Sequence, residues 1–246
     1  MSTVFEAALA GKHVVIIGGS SGMGKATAKM AVALGAKVTL ASRSLAKLEA
    51  AATEVGGVVQ IAPVDTTDEA GVKSWAANLG TVDHLVISAS SAAHGAYEEL
   101  PTDALRGMFE AKFIGPYVAA REVLPALTKG ASITFFSGVL SRRPSAGTTG
   151  LAAVNAAVEA LAKGLALELS GRARVNCISP GMVDTEAYAA MPEEAREAMY
   201  AQVGGSLPVG RVGTAEEVAQ AVVLSMTNNF LTGTVLDVDG GHLVRS

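Results

Sequence analysis

An α/β protein, doubly wound in three α-β-α layers around a mostly parallel seven-stranded sheet, is the fold class this sequence predicts. Three observations lead there. Short apolar runs alternate with longer helical patterns along the whole chain, as repeated β-α units require. Half of the 246 residues are apolar, enough to bury a parallel sheet on both faces. The first apolar run turns through glycines straight into an amphipathic helix, which presents free backbone N–H groups and a positive helix end.

The elements follow in order. Candidate strands are His13–Ile17, Lys37–Ala41, Val58–Pro63, His84–Ser88, Ser132–Ser137, Arg174–Ser179 and Val235–Val238, each a short apolar run bounded by turn residues. Helical spacing fills the gaps over Lys25–Leu34, Leu45–Glu54, Glu69–Asn78, Thr102–Thr128, Thr149–Leu169 and Ala215–Met226. Ser44 ahead of LAKLEAA, Thr67-Asp68 ahead of EAGVKSW, and Thr214 followed by Glu217 supply helix N-caps. A polar segment, Glu186–Gln202, precedes the last helix. Pro192-Glu193-Glu194 starts a helix within it, and the segment reads as a mobile flap over a site. No repeat, low-complexity tract or linker interrupts the pattern, so residues 1–246 read as one domain.

Composition excludes several function classes. A formal charge of −4 and the absence of any basic run argue against a nucleic-acid surface. Met1–Ala10 contains Glu6 and lacks the apolar core of a leader, and no uninterrupted apolar run reaches the roughly 18 residues of a membrane span. The expectation is a cytoplasmic protein with neither nucleic-acid nor membrane partners. Cys177, the one cysteine, lies in the apolar run RVNCIS and reads as a buried strand thiol. No cluster of histidine, cysteine and carboxylate has metal-ligand spacing, and no metal is expected.

Four features, in order, carry a resemblance. Gly18, Gly22 and Gly24, with Ser20, Ser21 and Met23 between them, form a G-x-x-x-G-x-G turn after the first strand. Asp65 follows the third strand, Pro180-Gly181-Met182-Val183-Asp184-Thr185 follows the sixth, and TGTVLDVDGG closes the chain. Together they resemble the short-chain dehydrogenase/reductase family over the full chain. The resemblance implies a Rossmann-type fold, a bound nicotinamide dinucleotide and hydride exchange with a small-molecule substrate. It also implies a homodimer or homotetramer paired through the helices Thr102–Thr128 and Thr149–Leu169, the second being too apolar to face water along a whole side. Asp65 stands where the family's acid approaches the adenine, with Thr66 beside it. Ala89 follows the fourth strand, and Pro180, Gly181, Val183 and Thr185 form the turn beside the nicotinamide.

The second strand bears on which coenzyme binds. An acid there would hold the adenosine ribose and repel a 2′-phosphate. The chain instead reads Ala41-Ser42-Arg43-Ser44, with no acid and one guanidinium fork suited to phosphate oxygens. The expected cofactor is therefore NADP(H); the alternative is that Arg43 is a solvated surface cation.

The family's proton-transfer residues do not carry over. Gly138 stands at the serine position, Leu151 at the tyrosine, Asn155 at the lysine and Lys112 at the asparagine. After the fourth strand LVISAS, with Ser88, Ala89 and Ser90, stands in place of the family's Asn-Asn-Ala-Gly. Leucine has no proton to give, and loss of one positioned acid forfeits roughly 10²–10⁴ in rate. Lysine and asparagine have exchanged places, so Lys112 is expected to fill the vacated cation site, hydrogen-bonded to Asn155. Its alternative is a snorkelling or interface lysine. His94, in the loop after the fourth strand, and Tyr188, at the root of the flap, are the candidate replacement donors; residues of these types in such places are more often surface or packing residues. Two functions remain open: an NADP(H)-dependent oxidoreductase with non-standard catalytic residues, or a catalytically degenerate NADP(H)-binding sensor or oligomer partner.

Overall fold

The computed structural model describes residues 8–89 and 91–245. Ser90 and the segment Met1–Ala7, which contributed to the expectation of no leader, lie outside the described residues.

Seven strands form the main sheet: β1 (His13–Ile17), β2 (Lys37–Ser42), β3 (Val59–Pro63), β4 (Val82–Ile87), β5 (Leu127–Phe136), β6 (Ala173–Pro180) and β9 (Val235–Val238). Their order is β3-β2-β1-β4-β5-β6-β9, and every neighbouring pair is parallel. The sheet is thus parallel throughout its described pairs. β7 (Val183–Asp184) and β8 (Gly213–Thr214) form a separate two-stranded pair that no apolar run announced, each being only two residues long.

Among the described residues eight α-helices complete the layers: α1 (Gly22–Ala33), α2 (Leu45–Val55), α3 (Glu69–Ala76), α4 (Thr102–Phe109), α5 (Gly115–Val123), α6 (Thr149–Glu168), α7 (Glu193–Gly205) and α8 (Ala215–Thr227). Alternation along β1 sends Val14 and Ile16 to one face, where they pack with Ala28 of α1, Leu48 of α2 and Val222 of α8. Val15 and Ile17 point the other way, into a core with Val72 of α3, Val118 of α5 and Val158 of α6. Both faces of the central strands β1 and β4 are buried, which is why they read as continuous apolar runs. α6 is long and apolar enough to cross a bilayer, but here it packs Val158 and Ala162 into this core.

The helix expected over Thr102–Thr128 is broken. α4 ends at Phe109, a π-turn covers Glu110–Ile114, α5 begins at Gly115, and a 3₁₀ turn spans Leu124–Ala126. Pro116 offers no N–H to the carbonyl of Lys112, one turn back, and Pro125 interrupts the second stretch. Gly115 is needed for close approach, since a β-carbon there would lie 2.7 Å from Thr66 Oγ1. β5 consequently starts at Leu127 rather than Ser132. The flap segment is likewise two pieces, a 3₁₀ turn at Glu186–Tyr188 and then α7 after Pro192.

Candidate active site

β1 and β4 end level, with Ile17 paired to Ile87, and the chain leaves them toward opposite halves of the sheet. A crevice at such a switch point is where open α/β sheets take ligands. Gly18 adopts φ 86° and lies so close to the β4 loop that a β-carbon would stand 2.6 Å from the Ala89 amide. The Ser88 hydroxyl locks the two strand ends by donating to Ile17 O and Gly18 O at 3.2 and 3.3 Å. A β-carbon on Gly24 would collide with Gly18 O, so the first turn of α1 rests directly on the strand end. Ser21 begins α1 without a side-chain cap, leaving the helix amides for another acceptor. Met23, between the glycines, turns inward against the core, while Ser20 is half-buried and Ser21 exposed.

Along β2, Ser42 Oγ is buried with no hydrogen-bond partner among the described residues, and Arg43 is exposed beside it. Ser44 Oγ accepts from the Lys47 amide at 3.4 Å and so caps α2. Asp65 accepts from the amide and hydroxyl of Thr67, which, with a smaller contribution from the Arg43 charge, hold its carboxyl below the usual range. The Thr66 side chain is turned against Gly115.

The second glycine turn follows β6. A β-carbon on Gly181 would meet Asp239 Cα at 2.9 Å, so Pro180-Gly181 fits tightly under the chain leaving β9. Val183 is buried against the α8 side of the core. The turn then reaches the first one: Thr185 Cβ lies 3.4 Å from where a β-carbon on Gly22 would stand. Both glycine turns therefore border one groove of about 430 Å³ lined by Gly22, Lys25, Thr185 and Glu186. A larger groove of about 830 Å³, lined by Lys12, His84 and Arg174, lies at the opposite, amino-terminal edge of the sheet. The carboxyl edge carries both glycine turns, and we place the site there.

Lys112 sits in the π-turn, 9 % exposed, and its Nζ donates to Ser137 O at 3.1 Å. Burial pulls the ammonium down to about 8, with the nearby Cys177 acting weakly against it. Asn155, 2 % exposed on α6, donates through Nδ2 to Gly138 O at 3.4 Å, and its Oδ1 is buried with no partner among the described residues. The expected Lys112–Asn155 hydrogen bond is therefore replaced: each side chain bonds to a consecutive carbonyl of Ser137-Gly138. The reason is geometric, because this turn runs between the two helices. Leu151, one turn before Asn155, packs with Met108, Val154, Leu105 and Leu140 in an apolar cluster.

His94 is exposed in the loop after β4, next to Gly95, whose amide bonds to Gly147 O ahead of α6. Tyr188 meets Tyr200 edge-on at 5.8 Å between centroids, and the Tyr200 hydroxyl donates to Asp184 Oδ1 at 3.0 Å. Burial raises the Tyr188 phenol above its ordinary range. Tyr188 is thus tied to α7 rather than free to swing alone.

The family model described as enoyl-(acyl carrier protein) reductase matches residues 18–242, nearly the whole chain. The chain belongs to the short-chain dehydrogenase/reductase family. A short-chain dehydrogenase/reductase, ATR9, from Stachybotrys chlorohalonatus is 31 % identical, covering 96 % of this chain and 98 % of that protein. A 3-oxoacyl-(acyl-carrier-protein) reductase, FabG, of Chlamydia pneumoniae is 30 % identical, covering 95 % and 97 %. Among solved structures, a small-chain dehydrogenase in complex with NADPH matches with TM-score 0.84 at 38 % identity, covering 95 % of this chain and 99 % of that one. This short-chain dehydrogenase/reductase is accordingly a nicotinamide-dependent oxidoreductase by family.

Its residues fit a dinucleotide. Gly18 and Gly24 leave no room for a β-carbon, α1 lacks a side-chain cap, and a carboxylate, Glu186, already bonds to the Gly22 amide at 2.7 Å as an anion would. Two carboxylates escaped the sequence reading, the buried Glu159 and the exposed Glu186. Glu159 accepts from Ser137 Oγ at 3.0 Å and Ser141 Oγ at 2.6 Å, beneath the Gly138 turn. Its spacing of four from Asn155 and eight from Leu151 on one helix face was the available signal. Glu186 had none, because its partner Gly22 lies 164 residues away. Cys177 is inert: burial pushes its thiol up to about 12.

Proposed function

We propose that this chain is an NADP(H)-dependent oxidoreductase that exchanges a hydride with a small organic substrate using non-standard polar residues around the Gly138 turn. The observation that carries the reading is the pairing of a tight glycine cradle with an apolar residue, Leu151, one helical turn from Asn155. Binding is retained, while the usual side-chain proton donor is not.

Arg43 and the unpartnered Ser42 Oγ support NADP(H) over NAD(H): a 2′-phosphate would take the guanidinium fork and satisfy a buried hydroxyl. The Gly22 amide and the α1 N-terminus would hold the diphosphate. Bound NADP(H) supplies the hydride. Asn155 and Lys112 hold the carbonyls of Gly138 and Ser137: the Asn155 Oδ1 is an acceptor with no donor among the described residues, and Lys112 is a buried cation. Together they would orient the ribose end of the coenzyme and steady developing negative charge. Orientation alone is worth about 7–11 kcal/mol, so hydride exchange survives the loss of a positioned acid.

Leucine at 151 shapes the choice of substrate. A ketone oxygen becomes an alkoxide and needs a proton, whereas an iminium, a quinone or an activated alkene depends less on one. The acceptor is therefore expected to be an imine, quinone or activated alkene ahead of a simple carbonyl. His94 and Tyr188 remain the side chains from which a proton would come. The apolar surroundings of Leu151 favour a second reading, an NADP(H)-binding sensor without turnover. Association of copies through α5 and α6 fits either reading, since Tyr117 of α5 is 41 % exposed and Leu167 of α6 is 80 % exposed.

NADPH oxidation with a panel of iminium ions, quinones, enones and ketones tests the proposal. Turnover of the first three classes above the ketones supports it. Tight NADPH binding with no turnover of any class would leave the sensor.

A further inference from the structure

The amide of Gly22 opens α1 and points into the groove between the glycine turn and the flap. Its acceptor is not a cap from its own helix. Glu186 Oε2 takes this N–H at 2.7 Å, and Glu186 Oε1 pairs with Lys25 Nζ at 2.8 Å, one turn into α1. Lys25 simultaneously holds Glu54 of α2 at 2.9 Å. The root of the flap is pressed against the same spot, with Thr185 Cγ2 3.4 Å from the position of a Gly22 β-carbon. Burial tends to raise the Glu186 carboxyl, but hydrogen bonds from Lys25 and Gly22 outweigh it and keep the group ionised.

A diphosphate makes the same demands as this carboxylate: negative charge against a helix N-terminus and acceptor oxygens for its first N–H groups. The two cannot be met at once, because one N–H serves one strong acceptor and like charges repel.

We propose that Glu186 is an internal anion that latches the flap onto the coenzyme's phosphate seat, so that coenzyme binds by displacing it. This rests on the coenzyme reading of the glycine turn. Glu186 heads the 3₁₀ turn that carries Tyr188, and Tyr188 packs on Tyr200 of α7. Expelling the carboxylate therefore moves the turn and its contact with α7, which couples occupancy of the phosphate seat to opening of the substrate side. Lys25 keeps Glu54 as its partner after the exchange and stays beside the incoming phosphates.

The latch is tested with Glu186→Gln and Glu186→Ala in the full chain by two readouts. In calorimetric titrations with NADPH, both variants should bind about tenfold more tightly than the unaltered chain, the scale of one charge-assisted hydrogen bond no longer in competition. In the coenzyme-free protein, hydrogen exchange at the Gly22 amide should speed up in Glu186→Ala, which removes its acceptor. Equal or weaker NADPH binding by both variants, or unchanged Gly22 exchange, overturns the latch. Failure of the unaltered chain and both variants to bind NADPH or NADH overturns the coenzyme reading and the latch with it. Binding by the unaltered chain without a gain in the variants overturns the latch alone.

Discussion

The Asn155 amide occupies the space that any side chain at position 138 would need: a β-carbon on Gly138 would stand 2.9 Å from Asn155 Nδ2. The absence of a side chain at 138 and the presence of asparagine at 155 are therefore one packing arrangement, not two independent changes. Gly138→Ser should push the amide off the Gly138 carbonyl and cost about 1–2 kcal/mol, as overpacking does. In an Asn155→Ala background the same change should cost about 1 kcal/mol less. Denaturant unfolding of the four proteins gives the coupling; strictly additive costs would show that the two positions do not share space.

Lys112 is a buried cation with one protein hydrogen bond, to Ser137 O. Its ammonium is pulled from 10.5 down to about 8, chiefly by burial. Between those values the unfolded chain holds more protons than the folded one, so stability should rise with pH through that window. The gain relative to Lys112→Met should reach up to about 3 kcal/mol. Parallel pH profiles for the two proteins would show that Lys112 keeps its proton in the fold. The same variant tests the functional role, because unchanged NADPH affinity and turnover in Lys112→Met would remove Lys112 from the site.

His84 obeys the same sign at lower pH. It is 7 % exposed, its Nδ1 pairs with Ser132 Oγ at 2.8 Å, and burial lowers it from 6.5 to about 4. Stability associated with the neutral ring is complete above 6.5 and is lost as pH falls toward 4, by up to about 3 kcal/mol. His84→Gln should flatten this part of the acid-unfolding profile. An unaltered acid limb would mean that other groups set it.

Arg43 is exposed, so its removal should leave the fold untouched and act on coenzyme choice. Arg43→Ala is expected to weaken NADPH binding about 10–100-fold while leaving NADH binding nearly unchanged, because only the 2′-phosphate uses the guanidinium fork. Equal losses for both coenzymes would assign Arg43 a general electrostatic role.

How much of this was legible in the sequence depends on how local each signal was. β1 was placed to the residue because its apolar run is bounded by Lys12 and the glycines, and α6 was placed to within one residue by its helical spacing. The Thr214 capping box is present with both its hydrogen bonds. The break at Glu110–Ile114 was missed although Pro116 announced it, because apolar spacing continues across the π-turn. At the site, the glycine cradle was readable from chain order alone. Contacts set by chain crossing were not: Glu186 on Gly22, Lys112 on Ser137 and Asn155 beside Gly138 join residues separated by 164, 25 and 17 positions. Residue type could nominate Lys112 and Asn155, but only the fold assigns each its own carbonyl.

Calorimetric titration of the unaltered chain with NADPH and with NADH bears most directly on the claim that a complete dinucleotide seat persists here beside a Leu151 that has no proton to give. The account predicts saturable binding of NADPH, tighter than that of NADH. No binding of either coenzyme at millimolar concentration would contradict it.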